Sequence, residues 1–141
     1  MLITYARIEG GKPAQLEVLR VLFADIESIL GLCVRPREER TGLAIYFSSR
    51  DEDGNNICKS QWLGYYFDKQ IYLRPGLRGN ELYAVALHEL GHYWGLDHTR
   101  RGIMAAVQNS SPAGRLSVKW RRRCLRSLMG ALLRNKLRRM K

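Results

Sequence analysis

Apolar residues recur at Leu16, Leu19, Val21, Leu22, Phe23, Ile26, Ile29 and Leu30, so that Leu19, Leu22, Ile26 and Ile29 follow one another three or four apart. That spacing predicts one helix from Ala14 to Leu30 with a buried stripe, with Pro13 suiting its first turn and Gly31 its end. Residues 2–8, 33–37 and 41–48 read as strands. The aromatic and β-branched runs Trp62–Phe67 and Gln70–Leu73 flank Asp68-Lys69 and predict two more. After a loop around Pro75, Gly76 and Gly79, Asn80 is expected to cap a helix from Glu81 to Trp94. Leu82, Val85, Ala86 and Leu90 would pack it on the sheet. A last helix is expected between Leu116 and Met140, with Leu125, Leu128, Met129, Leu132 and Leu133 near one face. Asn109 to Gly114 has the composition of a loop. It divides an expected core, residues 1–114, from a basic amphipathic helix, residues 115–141, that belongs to the same domain. Strands and helices in this order give an α+β fold.

Charge changes this picture at one end only. Residues 1–97 carry 11 Lys and Arg against 13 Asp and Glu, whereas residues 98–141 carry 13 Lys and Arg and no acid. The overall net charge of +11 therefore belongs to the C-terminal third, and it points to an anionic partner, nucleic acid or a membrane surface, for residues 115–141. Trp120 would suit a membrane interface. No apolar run reaches the ~20 residues of a membrane span. Met1 to Tyr5 has neither the basic start nor the apolar core of a secretory signal. The expected location is the cytoplasm, or outside by release without a signal peptide. Cys33, Cys58 and Cys124 are odd in number and widely spaced, so they read as thiols in a reducing compartment rather than a disulfide framework.

All three histidines lie in His88-Glu89-Leu90-Gly91-His92-Tyr93-Trp94-Gly95-Leu96-Asp97-His98. His88 and His92 are four apart, so on a helix they share a face and can grip one metal. His98 can join them only if the chain turns back, because on a continuous helix it would lie about 15 Å from His88. Gly95 stands where that break is needed. Three imidazoles with one position left open are a catalytic zinc set. Glu89 points off the ligand face but stays close enough to take a proton from a water whose pKa the metal lowers to roughly 7. Asp97 is placed to orient a ligand histidine from behind. The alternative, a helix with surface histidines, leaves unexplained why no histidine occurs elsewhere.

His-Glu-x-x-His-x-x-Gly-x-x-His is the signature of the metzincin zinc peptidases, and this chain resembles one. Thr99, after the third histidine, makes the resemblance matrixin-like. The resemblance implies that Met104, in Gly102-Ile103-Met104-Ala105, is the methionine of a tight turn beneath the metal, supporting it without ligating it. Ile3-Thr4-Tyr5, Leu43 to Phe47 and Gly64 to Leu73 resemble the strands of such domains. The implied fold is a small metzincin-like domain, a twisted mixed sheet with an active-site helix and a C-terminal helix. The implied activity is zinc-dependent endopeptidase chemistry on a peptide or protein substrate, with Glu89 assisting attack by water.

Calcium is a second cofactor expectation, at Asp51 to Asn56. That loop has oxygen ligands and a glycine but lacks the spacing and final glutamate of an EF-hand, so a solvated hairpin loop is the first expectation. Two rival functions stay open. One is a zinc-containing binding protein whose basic C-terminal helix engages nucleic acid or anionic membrane. The other is a zinc hydrolase acting on a non-peptide bond.

Overall fold

The computed structural model describes residues 3–38, 42–51, 53–56, 62–105 and 116–140. Five strands, β1 (Ile3–Glu9), β2 (Cys33–Pro36), β3 (Leu43–Phe47), β4 (Gly64–Phe67) and β5 (Gln70–Leu73), form one sheet in the order β2-β1-β3-β5-β4. All neighbours are parallel except β4, which pairs antiparallel with β5. Three helices, α1 (Pro13–Asp25), α2 (Gly79–Tyr93) and α3 (Val118–Arg139), complete the fold. This is the mixed-sheet α+β architecture expected of a metzincin-like domain.

The strands form for the reason read from the chain. Thr4 and Ala6 of β1 are buried while Ile3 and Tyr5 are exposed, the period-two pattern of a half-covered sheet. The β4–β5 turn is tighter than its residues suggest. Asp68 and Lys69 both take positive φ, 46° and 62°, the left-handed pair of a two-residue hairpin turn that glycine and asparagine usually fill. It places β4 on the sheet edge with Gly64 opposite Leu73.

Two helix boundaries differ from expectation. The stripe from Pro13 ends as α-helix at Asp25 and continues as one π turn, Ile26–Leu30, before Gly31 closes it in the left-handed conformation. Five residues are too few for apolar spacing to separate the two helical periods. At α2, Asn80 is not the cap. Arg78 holds that place in extended backbone, and Gly79 enters the helix with φ +54°. Asn80 is buried in the first turn instead. The loop before it is tied down by Gln15, whose side-chain amide donates to the carbonyls of Pro75 (2.7 Å) and Leu77 (2.8 Å).

Leu19, Leu22 and Ile26 meet Leu43, Ile45, Ile71 and Leu73 of the sheet and Leu82, Leu87 and Leu90 of α2 in one core. Cys124, Leu125, Leu128 and Ala131 of α3 belong to the same cluster. Met129 and Leu133 do not; they are exposed. A polar tie joins the three helices. The Tyr83 hydroxyl of α2 donates to Asp25 of α1 at 2.7 Å, and Arg121 of α3 meets the same carboxylate oxygen at 3.2 Å. Burial and the Asp25 carboxylate push the Tyr83 phenol far up. Trp120 packs on Tyr83, with ring centroids 5.5 Å apart, so the tryptophan expected to suit a membrane interface is half-buried.

Cys33 and Cys124 are buried free thiols, and burial pushes Cys124 up to about 11. Cys58 and the Asn109–Gly114 loop lie outside the described residues. The Asp51 loop closes as a hairpin. Arg50 bridges to Asn56, and the Asp51 carboxylate accepts from the amides of Asn55 (2.8 Å) and Asp53 (3.0 Å).

Candidate active site

The site grows from the C-terminal half of α2. His88 and His92 project from one face of it. The helix then stops at Trp94, and Gly95, at φ +91°, turns the chain back. The stop is a double hydrogen bond, Gly95 N–H to the His92 carbonyl (3.0 Å) and Leu96 N–H to the Gly91 carbonyl (2.9 Å). That is the Schellman arrangement, in which a left-handed residue satisfies the orphan carbonyls of a helix end. Leu96 is buried behind it. His98 is thereby returned to the face it would have left, and Gly95 has the role its position in the sequence predicts.

The three rings converge. His92 Nε2 lies 3.1 Å from His88 Nε2 and 3.2 Å from His98 Nε2. The opposite nitrogens explain why. His88 Nδ1 lies 2.7 Å from the Ile103 carbonyl and His92 Nδ1 lies 2.7 Å from the Leu96 carbonyl. A carbonyl only accepts, so each Nδ1 carries the proton and each Nε2 presents a lone pair. Lone pairs facing one another repel unless a cation lies between them. Nitrogens about 2.1 Å from a tetrahedral zinc would lie about 3.4 Å apart. Donor type, tautomer and spacing therefore fit a metal ion, and all the ligand atoms lie within 4.8 Å of one another. Backbone carbonyls hold the Nδ1 atoms of His88 and His92. Asp97 is exposed at the cleft.

Glu89 is 4% exposed, and its Oε1 lies 4.0 Å from His88 Nε2. Its Oε2 is buried with no hydrogen-bond partner among the described residues. Desolvation pushes its carboxyl up to about 8 and His88 down to about 4. An orphaned buried carboxylate is costly, and here it faces a cleft of about 830 Å³ that it lines with the three histidines.

These shifts set the pH response of the metal-free protein. Between 4.5 and about 8 folded Glu89 holds a proton that the unfolded chain has lost, so stability falls as pH rises. Between about 4 and 6.5 His88 does the reverse, and His92 is lowered in the same sense, also by burial first. With chelator present, the melting temperature should peak near pH 6.5, where the histidine effects end, and fall towards 8. Glu89→Gln should remove the fall. Melts that stay flat from 6.5 to 8 in the parent would refute the assignment.

Further residues support the ligands, and two of them, Gly64 and Ser127, carry no sequence signal. A Cβ on Gly64 would lie 2.7 Å from Val85 Cγ1 and 3.1 Å from Glu89 Cγ, so only glycine lets the edge strand close on α2 at the acid. Met104 is 1% exposed and packs under Gly91, between the two helical histidines. Its segment is pinned by the Thr99 amide, which donates to the Met104 carbonyl at 2.9 Å. Ser127 of α3 accepts from the Ile103 amide at 3.0 Å, and the Ile103 carbonyl holds His88. Ser127→Ala should weaken metal binding by about tenfold, the low end for losing a supporting partner, read by competition with a chromogenic chelator. An unchanged affinity would show that Ile103 needs no tether.

The comparisons agree with this geometry. Residues 21–120, well over half of the chain, match the matrixin family. No curated protein matches the chain. With three histidines placed to bind a metal above a buried methionine, and a family match spanning the second half of α1 to the start of α3, the chain belongs to the matrixin family of zinc metallopeptidases.

Proposed function

We propose that this protein is an endopeptidase in which His88, His92 and His98 hold one zinc ion and Glu89 is the catalytic base. Zinc held there supplies Lewis acidity, polarising a carbonyl and making water more acidic. Glu89 accepts the proton of the attacking water as its oxygen bonds to the scissile carbonyl carbon. It then returns that proton to the leaving nitrogen as the carbon–nitrogen bond breaks. Burial makes its carboxylate a stronger base than a solvated one, and the low basicity of His88 keeps that ring neutral and ready to ligate at neutral pH. Met104 supports the ligands from below. An extended substrate adds as a strand along the outer edge of β4, where main-chain hydrogen bonds give affinity and the Trp62–Tyr66 side of the cleft gives selectivity.

One observation carries the reading. Glu89 is a buried carboxylate whose Oε2 has no hydrogen-bond partner among the described residues, set beside three converging imidazoles. A purely structural zinc site needs no base and usually closes its fourth position with cysteine.

The test is incubation of the full chain, loaded with one zinc, with a proteome-derived peptide library and with a panel of small amides and esters. Cleavage inside peptides that stops on chelation supports an endopeptidase. Turnover of small amides or esters alone would transfer the site to non-peptide hydrolysis. Silence towards both, with zinc bound, would remove the catalytic reading.

A further inference from the structure

The outward face of α3 changes character along its length. Over the first half it is basic, with Lys119, Arg122, Arg123 and Arg126 exposed. Over the second half it is apolar. Met129, Leu133, Leu137 and Met140 follow one another three or four residues apart, and they are 37%, 56%, 60% and 74% exposed. The exposed bases Arg134, Lys136 and Arg138 flank this stripe. It is separate from the buried face, where Leu125 and Leu128 enter the core.

We propose that this face docks on an anionic lipid bilayer, with the Met129–Met140 stripe entering the headgroup boundary and the flanking bases meeting lipid phosphates and carboxylates. Both halves of the face are needed to choose the partner. Nucleic-acid phosphates would reward the cations but leave four large apolar side chains in water. A second copy of the chain could cover the apolar stripe, but it would bring two helices with no acid from His98 to Lys141 against each other. An anionic interface satisfies both chemistries at once. The anchor is therefore the methionine and leucine stripe, not Trp120. Docking also leaves the cleft open. Arg139, which comes near Gly95 at the cleft rim, with Nη2 3.2 Å from where a Cβ there would be, lies on a different side of the helix from Leu137. The inference stands apart from the catalytic reading, since it asks only where the chain sits.

The experiment is co-sedimentation of the zinc-loaded full chain with phosphatidylcholine vesicles, with and without phosphatidylserine, beside titration with duplex and single-stranded DNA. Binding is expected to the serine-containing vesicles and not to the neutral ones. Leu133→Asn with Leu137→Asn keeps every charge and, being exposed, should keep the melting temperature. It should weaken vesicle binding by about tenfold or more. Arg122→Gln with Arg126→Gln should weaken it by about 25-fold, at about fivefold per charge. Three results would overturn the proposal. They are vesicle binding indifferent to the leucine pair, DNA binding with no vesicle binding, and a self-association that the leucine pair abolishes in a chain that ignores vesicles.

Discussion

Glu89→Ala should cut peptide cleavage by about 10²- to 10⁴-fold, the usual worth of a positioned acid–base group, while the protein still binds one zinc. The two halves of that expectation come from different atoms. Metal retention follows because the ligand set is His88, His92 and His98, with two of the rings fixed by Ile103 and Leu96. Glu89 adds no atom to that set; its Oε1 stops 4.0 Å from His88 Nε2. Loss of cleavage follows because, among the described residues, the cleft lining has no other buried carboxylate; Asp97, the remaining acid there, is exposed. Glu89→Gln should behave alike, because the amide keeps the shape but cannot take the proton. The same changes should raise the melting temperature of the metal-free protein above pH 6.5, since they delete a buried carboxyl that folding must hold protonated where the unfolded chain ionises it. Zinc content by atomic absorption and initial rates on a cleaved library peptide decide it. A variant that loses zinc would make Glu89 part of the metal set. A variant that keeps both zinc and rate would leave the cleft without a base.

The histidine site was legible because everything it needs is local. Two ligands one helical turn apart, a glycine to reverse the chain and a third ligand three residues later can be placed by helix geometry alone. The structure puts Gly95 at φ +91° and brings the third ring to 3.2 Å from the second. The strand pattern and the active-site helix were legible for the same reason, as short-range periodicity, whereas on α3 only Leu125 and Leu128 of the expected face are buried and Met129 and Leu133 are exposed. What stayed hidden is contact between distant residues. Nothing in the pattern around Ser127 says that its hydroxyl holds Ile103, 24 residues away. Gly64 gives no hint that it lies against Glu89 on another element. Asp97 was read as orienting a ligand histidine because it adjoins His98 in the sequence, while the carbonyls that hold His88 and His92 belong to the main chain, which every residue has. Trp120 looked like an interfacial anchor because an aromatic in a basic helix has two uses, and only Tyr83 packed against it decides between them.

Gly91 and Met104 carry the second large expected effect, and they should fail to be additive. Met104 is fully packed beneath α2, so Met104→Ala should cost about 2–5 kcal/mol, the range for emptying a buried methionine site. Gly91 lies between His88 and His92. A Cβ built there would run into Met104 Sδ and sit 3.0 Å from its Cε and 3.1 Å from Leu128 Cδ1. Gly91→Ala therefore overpacks a site that cannot yield into solvent, at about 1–3 kcal/mol, against a helix-propensity gain of at most ~1 kcal/mol. In the Met104→Ala background the main obstacle is gone, and only Leu128 Cδ1, at 3.1 Å, has to give by a few tenths of an ångström. The new methyl then fills part of the cavity, and the propensity gain stands alone, so the second substitution should stabilise where the first time it destabilised. Urea melts of the four proteins with zinc bound give the cycle, and a coupling of about 1–3 kcal/mol is expected for residues in direct contact. Zinc affinity should follow the same order, because the methionine presses on the helix between two of its ligands. Additive melts would mean that Met104 does not meet Gly91 and that the floor of the site is built otherwise.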